Sequence, residues 1–229
     1  MTALLLLALL CGDDGLAARY PGDKGIAKDP AVLLAEDFEE GTIADLLKRW
    51  TEVKDQGALA FSDLKPEGSQ GRRTLEVTAT PGKDTGGHLF APLARGVDCA
   101  FARFHVRFAE DADYLHHFVA MGGMNPQTRW RNPQAGTCPR GDDRLYVGIE
   151  PWGDRGRAKA PGLWNFYPYW HEMKISADGR YWGNSIRPVE DQPAPRARWQ
   201  CVELMVKLNK PGERDGELAL WLDGTLVAE

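Results

Sequence analysis

The sequence predicts an all-β protein, a sandwich or barrel of antiparallel strands. Three observations carry this. Short runs of alternating apolar and polar residues recur from about residue 33 to the last residue. Turn signals such as Pro81-Gly82, Asp178-Gly179, Asp215-Gly216 and Asp223-Gly224 separate them. Helical periodicity is confined to one short stretch, Thr42 to Trp50, where Ile43, Leu46 and Leu47 fall at helical spacing. With 229 residues and 43% hydrophobic content, one large core is affordable in size. A net charge of −5 argues against nucleic acid as the partner, because no basic surface is available to neutralise phosphates.

The N-terminal run TALLLLALLCG is too short to span a bilayer. Residues 1–11 read as an export segment, although no Lys or Arg precedes the apolar run. Leu9-Leu10-Cys11 is similar to a lipoprotein cleavage site, with Leu10 where a small residue is expected. A buried first strand or helix is the other reading. The expected location is secreted or periplasmic, with lipid anchoring as a variant. If Cys11 leaves with the leader, Cys99, Cys138 and Cys201 remain, an odd number that permits one disulfide and one free thiol. Residues 12–30 are polar and aperiodic and read as a linker or flexible arm. Residues 31–229 form the expected single domain, a monomer.

The strands then follow in order. Ala35 to Gly41 closes a first strand. Leu75, Val77 and Ala79 alternate with Glu76, Thr78 and Thr80, and a further strand is expected over residues 86–93. Ala100, Ala102, Phe104, Val106 and Phe108 alternate with Phe101, Arg103, His105 and Arg107, the clearest period of two in the chain. One face of that strand is apolar, and the other carries Arg103, His105 and Arg107. Residues 117–122 form another strand, and 125–143 a long loop, which in a compact β domain is often functional. Leu145, Val147 and Ile149 oppose Tyr146, Gly148, Glu150 and Trp152. Gly162 to Ser185 gathers three Trp, three Tyr, a Phe and a His, with Tyr167, Tyr169 and His171 at every second position. On a strand those three would share a face about 7 Å apart. Pro168 cannot donate to a ladder, so this strand is at an edge, bulged, or shorter than the pattern suggests. Strands at 202–208 and 218–222 follow. The last residues, Thr225 to Glu229, read as a strand cut short, so a closing strand is expected beyond them.

Trp199-Gln200-Cys201-Val202-Glu203, then Val206 to Asn209, Asp215-Gly216 and Trp221-Leu222-Asp223-Gly224, together with Glu36 to Gly41, resemble the concanavalin A-like lectin/glucanase jelly rolls. Within these the pattern is most similar to the polysaccharide-lyase branch of the family 14 alginate lyases and glucuronan lyases. The resemblance covers roughly residues 33–229 and implies two stacked antiparallel sheets, with a sugar chain held on a concave face. It also implies that a Tyr-x-Tyr pair moves protons, which Tyr167 and Tyr169 match, and that a basic residue on an earlier strand assists, a place open to Arg103, His105 or Arg107. The branch's Ser-x-Arg pair has no counterpart here, since Tyr146 to Glu150 occupies that strand.

A uronate lyase must neutralise the C6 carboxylate, remove the C5 proton and protonate the leaving oxygen. Arg103, Arg107, Arg129 and Arg131 are the candidate neutralisers, because a guanidinium forks onto a carboxylate. His105 or His171 is a candidate base, and Tyr167 or Tyr169 a candidate acid. Tyr146, Glu150 and Trp152 are candidate sugar contacts, so the expected partner is a polysaccharide or oligosaccharide. No metal is expected: His116 and His117, as adjacent strand residues, face opposite ways and cannot easily bind one ion. Ca²⁺ is the one cofactor considered, through Glu36-Asp37 or Asp142-Asp143. The alternatives are a lectin-like binding module using Trp130, Trp152, Trp164, Trp170 and Trp182, and a glycoside hydrolase, which would need two carboxylates flanking one bond.

Overall fold

The computed structural model describes residues 4–7, 15–127 and 135–229. Among the described residues thirteen strands are formed: β1 (Leu4–Leu7), β2 (Val32–Glu36), β3 (Glu52–Lys54), β4 (Leu59–Ser62), β5 (Thr74–Val77), β6 (His88–Phe90), β7 (Cys99–Arg107), β8 (Val119–Met124), β9 (Arg144–Trp152), β10 (Leu163–Tyr169), β11 (Trp199–Lys207), β12 (Glu217–Leu222) and β13 (Thr225–Ala228). Among the described residues helix is limited to one turn, α1 (Leu16–Arg19), and short 3₁₀ turns. Six strands hydrogen-bond in the order β13-β12-β11-β7-β1-β2, three in the order β10-β9-β8, and two pairs stand as β3-β6 and β4-β5. Every strand pair whose register is resolved is antiparallel.

The chain divides into two compact units, one of residues 1–105 with 201–203 and one of 106–200 with 204–229, so the boundary runs through β7 and β11. The sequence suggested no such division.

In the first unit, Leu46, Trp50, Val53 and Leu59 form a buried cluster, with Leu34, Phe38, Ile43, Leu75 and Leu89 packed against it. Full burial of each large apolar side chain contributes roughly 1.5–3 kcal/mol. The expected helical turn is present as a 3₁₀ turn over Ala44–Lys48, which points Leu46 inward. Glu36, at the end of β2, ties this cluster together. It accepts hydrogen bonds from Phe38 N (2.9 Å), Arg49 Nε (2.8 Å) and Trp50 Nε1 (2.9 Å). Burial works to raise its carboxyl, but these bonds, Arg49 foremost, bring it below the ordinary carboxylate range. A carboxyl lowered on folding stabilises the fold above its unfolded value, and that contribution is lost as acid protonates it through the lowered value. Between pH 6 and 3 the melting temperature should therefore fall by about 2–4 °C more in the wild type than in Glu36→Gln, on the scale of one kcal/mol for a chain this long. Parallel curves in a thermal melt series would remove Glu36 from this role.

Three features of this unit bear on the sequence reading. Part of the apolar run read as an export segment, Leu4–Leu7, forms β1, paired with both β2 and β7. Residues 15–30, read as a flexible arm, are docked: Leu16, Asp23 and Ile26 are buried. The sequence hid this because the anchors are polar and distant, Glu203 accepting from Leu16 N and Asp23 from Arg103. Finally, Cys99 is disulfide-bonded, and Cys138, which belongs to the other unit, is a free thiol.

In the second unit, β9 follows its predicted alternation. Val147 and Ile149 face the core, and Tyr146, Gly148 and Glu150 face the other way. The strand expected at 117–122 begins two residues later, at Val119. β10 lies at the border of its three-stranded sheet, the first of the three readings that Pro168 left open. The run 184–194 lies along its outer side, with Phe166 N donating to Ile186 O (2.9 Å) and Trp164 N to Gln192 O (2.8 Å).

Candidate functional site

The site is built on the face of the β8-β9-β10 sheet that carries Glu150. Register places Tyr167 opposite Gly148, Tyr169 opposite Tyr146, and Asn165 opposite Glu150. On β8, Ala120 and Gly122 pair with Gly148 and Tyr146. Small residues at 120, 122 and 148 leave a low floor between large rings. The glycine at 122 is required, because a Cβ there would stand 2.5 Å from Leu145 O. On this floor three phenols pack edge to face, Tyr146 on Tyr169 (centroids 5.9 Å apart) and Tyr169 on Tyr167 (5.7 Å).

At the end of this row sits Glu150, 2% exposed. His116 Nδ1 lies 3.2 Å from Glu150 Oε1, and His117 donates its backbone N–H to Oε2 at 2.7 Å. The His117 ring turns to the same carboxylate, Nδ1 to Oε2 3.6 Å. The two imidazoles stack at 3.8 Å, and both meet the Tyr167 ring edge-on at 5.4 and 5.6 Å. The expectation that these histidines point apart is overturned. They precede β8 rather than lie in it, and His117 has a φ of +64°, which breaks the alternation of a strand.

The electrostatics follow from burial and pairing. Burial acts to raise the Glu150 carboxyl, but hydrogen bonds from His116 and His117 hold it at about 2. The same bond to Glu150 raises the His116 imidazole above its ordinary value. Burial pushes Tyr146 up to about 12, and pushes Tyr167 up as well, aided by its hydrogen bond to Tyr169. The face therefore presents a fixed carboxylate, an imidazole biased toward its cation, and phenols that keep their protons. The chain crosses the Tyr167 ring at Gly183, where a Cβ would stand 2.3 Å from Cε1.

Of the sequence-predicted residues, Tyr167, Tyr169, Tyr146 and Glu150 are brought together. Tyr167 is half-buried, while Tyr169 is 3% exposed. Trp152 lies at the end of β9, with the Arg187 guanidinium 5.0 Å from its ring. His171 is beyond β10, exposed, and against Gly141. Arg107 is half-buried at the end of β7, and Arg129 lies outside the described residues. Arg103 and His105 belong to the first unit. The Arg103 side chain, 7% exposed, is locked between Asp23 (2.7 Å) and Glu203 (3.1 Å), and His105 Nδ1 is 3.8 Å from Asp23. The alternation of β7 was read correctly, but the charged face is covered, because acidic partners from distant segments make its burial tolerable. The acidic pairs considered for Ca²⁺ are engaged with guanidinium groups, Glu36 with Arg49 and Asp143 with Arg144 (2.7 Å). The sequence reasoning set His116 and His117 aside because it began the strand at His117, whereas β8 begins at Val119; the signal available was the adjacency of the two imidazoles.

No family model and no curated protein matches this sequence. Solved structures do match. The marine family PL-14 alginate lyase from Aplysia kurodai superposes with a TM-score of 0.55 at 11% identity, over 98% of this chain and 79% of that one. The alginate lyase Aly36B gives 0.51 at 13% identity, over 82% and 71%, and the alginate lyase vAL-1 from Chlorella virus gives 0.51 at 15%, over 80% and 78%. Among the described residues no helix is long and apolar enough to cross a membrane. The antiparallel strand architecture and these three likenesses make the chain a jelly-roll β-sandwich of the kind the alginate lyases are built on.

Proposed function

We propose that the protein cleaves a uronate-containing polysaccharide by β-elimination, as a lyase-like member of this fold. The observation that supports it most is the convergence of His116, His117 and Tyr167 on one sheet face around Glu150. In this reading Tyr167 is the acid. Burial keeps its phenol protonated, so it has a proton to give to the leaving glycosidic oxygen and is ill suited to take one. The His117 imidazole, oriented by Glu150, is the base for the C5 proton, and His116, biased toward its cation by the same carboxylate, faces the sugar's C6 carboxylate. Tyr169, almost wholly buried, is a positioning residue that fixes the Tyr167 hydroxyl. The roles foreseen for Arg103 and His105 are not part of this proposal, since both are engaged with Asp23. The solved proteins of like fold are alginate lyases, which supports an acidic glycan as substrate.

The test is the rise in ultraviolet absorbance of unsaturated uronates when the full chain is mixed with alginate, glucuronan or pectate. A steady rise on at least one polymer is expected. Flat traces on all three, together with measurable glycan binding, would replace this reading with that of a lectin-like module, for which the Arg187–Trp152 pair already offers an aromatic contact.

A further inference from the structure

We propose that His116, His117 and Glu150 form a binding site for one divalent transition-metal ion of the zinc type. Their ligand atoms all lie within 4.8 Å of one another. Two of the separations, His116 Nδ1 to Glu150 Oε1 at 3.2 Å and His117 Nδ1 to Glu150 Oε2 at 3.6 Å, bracket the ligand–ligand edge of about 3.3 Å expected for a tetrahedral ion bonded at about 2.0–2.1 Å. Gathering the third pair closer needs only rotation of the rings, and both are exposed, at 62% and 56% of their side-chain surface. The carboxylate, by contrast, is held in place, since its own backbone carbonyl accepts from Asn165 Nδ2 (3.0 Å), and Asn165 in turn accepts from Ser185 Oγ (2.7 Å).

The donor set selects the ion. Two imidazoles and one carboxylate suit zinc and its neighbours rather than Ca²⁺ or Mg²⁺, which take oxygen ligands. Three protein ligands leave a position open to solvent, on the side where the imidazoles are exposed. The left-handed backbone at His117 fits this reading too. It costs energy at a residue other than glycine, and it is what brings the second imidazole and its N–H onto one carboxylate. In the lyase reading His117 serves as base only in the ion-free chain, because a bound ion would take up its Nδ1 lone pair. The occupancy of the site does not rest on that reading.

The experiment is a calorimetric titration of the full chain, stripped with a chelator, with Zn²⁺, repeated with Co²⁺ followed by its visible ligand-field bands. One ion per chain at micromolar affinity or tighter is expected. The double variant His116→Ala/His117→Ala, at exposed positions and checked for fold by circular dichroism, should bind at least about 100-fold more weakly, and Glu150→Gln should show the same loss. Cys138→Ser should bind as the wild type does. Absence of binding in the wild type, or equal binding in the double histidine variant, overturns the site. Tight binding with flat lyase traces from the ion-free chain keeps the site and overturns the lyase; lyase activity without binding does the reverse.

Discussion

Tyr167→Phe should lower turnover of a uronate polymer by about 10²- to 10⁴-fold, the usual contribution of a positioned proton donor. The ring remains, so its edge contacts with His116, His117 and Tyr169 remain, and the melting temperature should move by no more than about 2–4 °C. KM should change far less than kcat, because the lost proton matters at the leaving oxygen and little in ground-state binding. Tyr169→Phe makes the useful comparison. Its hydroxyl acts on Tyr167 and not on the sugar, so a smaller loss of kcat is expected. Initial rates from the ultraviolet assay decide between them. Equal rates for Tyr167→Phe and the wild type would take the phenol out of the chemistry.

Arg103→Met should cost about 3–5 kcal/mol of stability, or roughly 10 °C in melting temperature. The guanidinium sits between Asp23 and Glu203 with all three side chains almost fully buried. Removing it strands two carboxylates away from water, and burial already pushes Glu203 upward even with Arg103 beside it. The triple variant Arg103→Met/Asp23→Asn/Glu203→Gln should recover most of the loss, because neutral amides need no counter-charge. Urea unfolding of the three proteins measures both effects. At a temperature where Arg103→Met is folded, its KM for polymer should equal that of the wild type. A raised KM with an unchanged unfolding midpoint would instead return Arg103 to the role of substrate contact.

Strand positions were legible where the period of two is strong. β7, β9, β10, β11 and β12 lie where Phe101 to Phe108, Leu145 to Trp152, Tyr167 and Tyr169, Val202 to Leu208 and Leu218 to Leu222 put them. Pro168 narrowed β10 to an edge, a bulge or a shorter strand, and β10 is at the border of its sheet. What alternation cannot report is whether a polar face meets water or a partner from far along the chain. Arg103 is the example, paired with residues 80 and 100 positions away. His116 and His117 failed for another reason. A face assignment assumes extended backbone, and one residue at φ +64° cancels the assumption. Residues 15–30 lack periodicity because three anchors, Leu16, Asp23 and Ile26, suffice to dock them.

The run along the outer side of β10 has a consequence for colloidal behaviour. A bare outermost strand offers its free amides and carbonyls as a template on which other molecules can stack into fibrils. Here that flank is shielded by a segment carrying Pro188 and Pro193, whose ring nitrogens have no proton to offer an incoming strand. The aromatic-rich stretch that gives the protein its chemistry can thus stay at a margin without inviting self-templated growth.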